Sequence, residues 1–294
     1  MKISEKLQAC LDALTPSLQQ SESTTKRRPL RIVLPVFLAG GAALGTLFVL
    51  PVLARGVQQT ADTQETSAIN PQAMEALNKM GAYLRTLKSF QVTAEVATDN
   101  VLEDGQSIEF NSKVDLVAAR PNRMRVEITD DDGHRFLFFD GKNFTIYGAV
   151  VNYYATVPAP PTIPELVDNI RDKYDINLPL VDLFRWGTDD ANIKKIKAAF
   201  DVGPSTVDGV TCEQYAFRQA DVDWQIWIEL GEFPLPRKIV IRTLTDDAKP
   251  QHREVLTWNL APSFNESAFT FDPPANAHRI AIAEAKAAAA ENKK

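Results

Sequence analysis

The sequence predicts a mainly β, α+β protein: one curled antiparallel half-barrel of about ten or eleven strands, with helices covering its concave face. Three observations carry this. Apolar and polar residues alternate with a period of two over most of residues 90–146 and again over 210–259, the mark of strands with one buried face. Asp104-Gly105, Asp132-Gly133 and Asp140-Gly141 fall between such runs, and Asp208-Gly209 follows later. Asp-Gly supplies the positive φ angles of a tight hairpin turn, so neighbouring strands run antiparallel. A sheet of about ten strands does not stay flat and should curl.

The elements follow in order. Arg55 to Asn70 is polar, lacks a hydrophobic period, and reads as a linker. Pro71 to Leu87 reads as a helix, because Met74, Leu77, Met80 and Leu84 recur at spacings of three and four and Pro71 suits a first turn. Strands are expected around Phe90–Val96, Ile108–Leu116, Met124–Ile128, Phe136–Phe138 and Phe144–Ile146. Pro158, Pro160, Pro161 and Pro164 then interrupt the sheet. Two short helical patterns come next: Ile163, Leu166, Val167, Ile170 and Tyr174, then Leu180, Leu183 and Phe184 up to Trp186. Strands resume near Ile196, and four more are expected over Val210–Phe217, Val222–Glu229, Arg237–Leu244 and Arg253–Asn259. The half-barrel is thus expected to span residues 71–280, with an Ala-rich tail over 281–294 that has little to dock with.

Ahead of this domain, Ile32 to Ala54 is a run of 23 residues without a charge, preceded by Lys26-Arg27-Arg28 and Arg31. About 20 apolar residues cross a bilayer as a helix, and a basic flank stays on the cytoplasmic side. Residues 1–31 would then be a cytoplasmic or n-region, and everything beyond Ala54 would be periplasmic. Two outcomes stay open. Val52-Leu53-Ala54 offers a signal-peptidase site with cleavage at Ala54. The length of the run instead suits a retained inner-membrane anchor.

Six Lys/Arg and three Asp/Glu precede Arg55, so the remainder carries 26 basic against 35 acidic residues, a net charge near −9. Nucleic acids and anionic headgroups select basic surfaces, so no nucleic-acid partner is expected. Cys10 and Cys212 lie on opposite sides of the apolar run and cannot pair. Cys212 falls in an expected strand and reads as buried and inert.

No catalytic constellation is legible, and no enzyme is expected. His134, His252 and His278 lie far apart in sequence and form no metal-ligand spacing. Asp130-Asp131-Asp132 precedes Gly133 at a hairpin tip and reads as a solvated turn. No GxSxG, CxxC or phosphate-binding Gly loop occurs, so no cofactor or metal is expected. The aromatic residues are more informative. A curled sheet is not always filled by its own side chains, and the mouths of barrels hold ligands. The residues expected to line such a cavity are Phe90, Val92, Phe110, Met124, Phe136, Phe138, Leu166, Ile170, Trp224 and Ile226.

A family resemblance is carried by several segments taken in order. They are Tyr83-Leu84-Arg85-Thr86-Leu87-Lys88-Ser89-Phe90 at the first helix–strand junction, Arg120-Pro121-Asn122-Arg123-Met124-Arg125 entering the third strand, and Phe139-Asp140-Gly141-Lys142 at a hairpin. Pro234-Leu235-Pro236-Arg237-Lys238 opens a late strand, and Phe269-Thr270-Phe271-Asp272-Pro273-Pro274 ends the sheet. Over residues 71–280 the chain resembles a family of predicted periplasmic proteins within the LolA/LolB-like superfamily. That resemblance implies a half-open barrel, a helical lid over an apolar cavity, and an apolar small molecule, lipid or acyl chain as ligand. The expected function is non-catalytic binding of such a ligand, with Pro158 to Trp186 as part of the lid. The alternative is an envelope protein-interaction or stress-sensing module, bound to a protein partner, whose cavity its own side chains close.

Overall fold

The computed structural model describes residues 68–187 and 192–285. Cys10, the apolar run over 32–54 with its Ala54 site, and most of the linker and tail lie outside the described residues. Helix α1 spans Pro71–Thr86. It starts where expected because Asn70 caps it: the side-chain oxygen accepts from the backbone N–H groups of Gln72 (2.7 Å) and Ala73 (3.1 Å), satisfying donors that the first turn leaves free. Its stripe of Ala73, Leu77, Met80 and Leu84 is buried.

The first meander runs β1 (Ser89–Val101), β2 (Ser107–Ala119), β3 (Arg123–Asp130), β4 (Gly133–Phe139), β5 (Asn143–Gly148) and β6 (Tyr153–Pro158). A helical insert follows, with α2 (Ile163–Tyr174) and α3 (Asp182–Arg185). Thr162 caps α2, and Asp175, in the left-handed region at φ 57°, ends it by donating its N–H to the Arg171 carbonyl at 3.0 Å. The second meander is β7 (Ala198–Val207), β8 (Val210–Arg218), β9 (Val222–Glu229), β10 (Pro236–Thr243) and β11 (Gln251–Asn259), and a two-residue β12 (His278–Arg279) ends the sheet.

All twelve strands form one sheet in the order β12-β6-β5-β4-β3-β2-β1-β11-β10-β9-β8-β7. Every neighbouring pair is antiparallel except β12 with β6. The long strand β1 stands between β2 and β11 and joins the two meanders. Two strands go beyond those the periodicity placed. Pro158 ends β6 rather than interrupting the sheet, and β12 is too short to have a period.

Register sets which residues share the concave face. Phe90, Ala118, Met124, Phe139, Phe144 and Val157 form one transverse row. Trp258, Val92, Leu116, Val126, Leu137, Ile146 and Ala155 form the next. Together with the apolar faces of α1, α2 and α3 these rows make one contiguous core. A small second cluster, Val207, Cys212, Trp227 and Val240, packs on the convex face, where Cys212 is a buried free thiol.

Candidate ligand site on the concave face

The insert fills the hollow of the sheet. Ile163, Leu166, Val167 and Ile170 of α2, then Ile176, Leu178, Leu180, Leu183 and Phe184, are all buried in the main core. Phe184 lies 5.8 Å from the Phe90 ring, and the Arg120 guanidinium sits 5.1 Å from its centroid. Burial lowers the pKa of that guanidinium, and Arg120 Nε is buried without a partner among the described residues.

α1 holds the end of the insert through a close backbone approach. Arg85 donates to the carbonyls of Trp186 and Gly187. Gly81 faces Gly187 so closely that a Cβ on Gly81 would stand 2.8 Å from the Gly187 nitrogen. Gly187 itself has φ +76°, a conformation in which a Cβ is strained. On the other side Arg185 of α3 pairs with Asp168 of α2.

Toward one end of the sheet the concave face turns polar. The row Phe217, Trp224, Ile241, His252, Thr98 and Phe110 crosses five strand pairings. Thr98 Oγ1 lies 2.7 Å from His252 Nδ1, and His252 Nε2 lies 3.1 Å from Glu254 Oε1. Asp182 of α3 stands near His252 and Glu254, with part of its surface open to solvent. Burial, then the neighbouring Glu254, pushes the Asp182 carboxyl up to about 6 against the opposing pull of Arg185 and His252. Trp224 stacks on Phe217 at 4.2 Å, and its Nε1 is buried without a partner among the described residues. A buried indole N–H without an acceptor is a cost that a water or ligand oxygen would relieve.

The structure brings together six of the ten residues expected to line a cavity. Phe90, Val92, Met124, Leu166, Ile170 and Ile226 are each at most 2% exposed in the one core. Trp224 is half-buried at its edge. Phe110 pairs with Thr98 beyond the reach of the helices and is 47% exposed. Phe136 and Phe138 point to the convex face instead; Leu137 and Phe139 take the concave positions. β4 carries large apolar residues on both faces, so alternation could not tell which set points inward. On the convex side Phe271 packs over Phe138, Tyr147 and Tyr154 at 5.1–5.4 Å. Sequence reasoning passed over Asp182, His252, Glu254 and Thr98 as a group, since only strand register and α3 bring them together.

Two clefts lie elsewhere, and none of the ten residues lines either. Among the described residues no group of three or more His, Cys, Asp or Glu is placed to hold a metal ion, and no helix is long and apolar enough to cross a membrane.

An open, curled antiparallel sheet whose concave face is roofed by helices defines the class, a mainly β, α+β half-barrel domain. The chain belongs to the DUF2092 family of predicted periplasmic proteins, whose model matches residues 73–283, and the domain is accordingly periplasmic. Among solved structures it is similar in fold to an uncharacterized conserved protein from Thermus thermophilus (14% identity, TM-score 0.41, covering 71% of this chain and 99% of that one). It is also similar to MucB (15%, 0.41, covering 69% of this chain and 64% of MucB) and to a LolA superfamily protein from Nitrosomonas europaea (12%, 0.33, covering 68% and 97%). A search of curated proteins finds no match.

Proposed function

We propose that this protein is a non-catalytic periplasmic binder of a hydrophobic or lipidic ligand, held on the concave face in the place the helical insert now occupies. The observation that supports this is the origin of the filling. The hollow is plugged by a continuous segment, residues 163–186, rather than by the sheet's own side chains alone. Burying one Leu, Ile or Phe side chain is worth about 1.5–3 kcal/mol. The buried residues of the insert therefore keep it down unless an apolar ligand replaces the surface it covers. The polar end of the concave face, at Asp182 and the unpartnered Trp224 indole, is where such a ligand's polar end would emerge. With residues 32–54 removed the domain would be free to shuttle its ligand; with them retained it would bind at the inner membrane.

The same tight packing favours a second reading, a protein-interaction or sensing module whose interior never opens. Native mass spectrometry with lipid extraction on protein isolated from the cell envelope separates the two. Co-purifying lipid that is lost in Trp224→Asp and retained in Phe138→Asp, both folded, is the expected result. Protein that carries no lipid and takes up none from detergent-free vesicles would leave only the module.

A further inference from the structure

The convex face carries a cleft of about 320 Å³ lined by Ala97, Asp99, Glu109, Arg242, Ala248, Lys249, Gln251 and Arg253. It lies on the opposite side of the sheet from the insert and is independent of what the hollow binds. Its volume is at the lower end of small-molecule sites. From the geometry we infer that it binds a small zwitterion carrying an oxyanion and an ammonium group, of the ethanolamine-phosphate type.

The cations come first. Among the described residues Arg242, Lys249 and Arg253 form no ion pair, although the domain is rich in carboxylates. The Arg242 guanidinium donates only to the Gln251 side chain, at 3.2 Å. The Arg253 guanidinium has no hydrogen-bond partner among the described residues. The nearby Asp223, which also feels Arg242 and Lys249 through space, is held by Arg218 through two bonds of 2.6 Å. Lys249 sits at φ +51°, a conformation uncommon for a residue with a side chain, and is fixed there by its N–H on the Asp246 carbonyl at 3.0 Å. Strained backbone of this kind is found where a side chain must be held in position. Three cations without an ion pair among the described residues thus line one cleft, a set that suits a tetrahedral or planar oxyanion, which arginine forks recognise.

The opposite wall is acidic. Asp99 of β1 accepts the Gln251 N–H at 3.0 Å with one oxygen, and Glu109 pairs with it across β2. One strand spacing, about 4.8 Å, separates β11 from β1. A ligand whose anionic and cationic ends are joined by a short two-carbon link spans that distance. A plain anion would meet Asp99 and Glu109 unfavourably. The net charge near −9 describes residues 55–294 as a whole, whereas this cleft is locally bipolar.

Calorimetric titration of the full-length protein at low salt with inorganic phosphate, ethanolamine and O-phosphoethanolamine tests this. O-phosphoethanolamine is expected to bind at least tenfold more tightly than either half. Arg253→Ala, whose guanidinium has no partner to lose and which should leave the melting temperature unchanged, is expected to weaken it at least tenfold. Glu109→Gln should remove the advantage over phosphate while leaving phosphate binding intact. Sedimentation with phosphatidylcholine vesicles, with and without phosphatidylethanolamine, then assigns the source. Selective co-sedimentation identifies a lipid headgroup, and binding of the soluble compound alone identifies a free metabolite. Equal affinity for all three titrants, no binding by any, or an Arg253→Ala variant that binds like the parent would overturn the inference.

Discussion

The two faces of this one sheet are built from alternate residues of the same strands, yet they solve burial differently. The concave face is a single core, continuous from β6 to β8 and roofed by α1, α2 and α3. The convex face is a patchwork: an aromatic set under the C-terminal segment, a small cluster around Cys212 and Trp227, and a polar cleft between them. What differs is the cover. Among the described residues three helices span the concave rows, whereas the convex rows receive only the segment after β11, which crosses β3 and ends beside β6. Apolar residues on a strand therefore do not say which face is the core until the covering elements are placed.

The largest test of that contrast is truncation on each face of β4. Phe139→Ala removes a fully buried ring and is expected to cost about 3–5 kcal/mol in denaturant unfolding. Phe138→Ala, on the half-buried convex side of the same strand, should cost less than half as much. Equal losses would mean the convex aromatic set is a core in its own right. Next comes Gly81→Ala, whose Cβ would collide with the Gly187 backbone. A loss of about 1–3 kcal/mol is expected, together with faster amide exchange over residues 182–187. Unchanged exchange there would show that α1 does not hold the insert down.

A smaller effect belongs to the convex segment. Phe271→Ala removes ring contacts with Phe138, Tyr147 and Tyr154. At about 0.5–1.5 kcal/mol per aromatic pair, partly exposed here, a net loss of about 1–2 kcal/mol is expected. Limited proteolysis should then cut between β11 and β12 while β1–β11 stay intact. Separate from these truncations is the response to pH at Asp182. Its folded-state pKa of about 6 lies above the ordinary 3.8, so its stabilising contribution is complete below pH 3.8 and is lost as pH rises through about 6. Denaturant midpoints of wild type and Asp182→Asn, compared from about pH 4 to about pH 7.5, should diverge as pH rises, with the variant favoured at the upper end. Parallel profiles would place the titration elsewhere.

Much of the fold was legible in the chain. Period-two alternation with Asp-Gly turns marked the hairpins of both meanders, since a strand's side-chain period and a turn's φ requirement are local properties. The stripe Leu77, Met80 and Leu84 was legible for the same reason, as was Cys212 in β8. The candidate site was only partly so. Phe90, Val92, Met124, Leu166, Ile170 and Ile226 were expected to line a cavity, and what hydrophobicity and period carried is that they share one buried face. Phe136 and Phe138 were misplaced because both faces of β4 are apolar. Phe110 was misplaced because alternation does not say how far along a long strand the helical cover extends.

By itself, then, the sequence determined most of the strands, their turns and the helical insert, because each depends on residues close together in the chain. Only the tertiary structure decided that β1 joins β11, that the insert occupies the hollow, and that Asp182 comes near His252 and Glu254. It alone also gathered Arg242, Lys249 and Arg253 opposite Asp99 and Glu109. These pairings join residues up to 168 positions apart. They are set by strand register and by competition for apolar surface, which no local window of sequence contains.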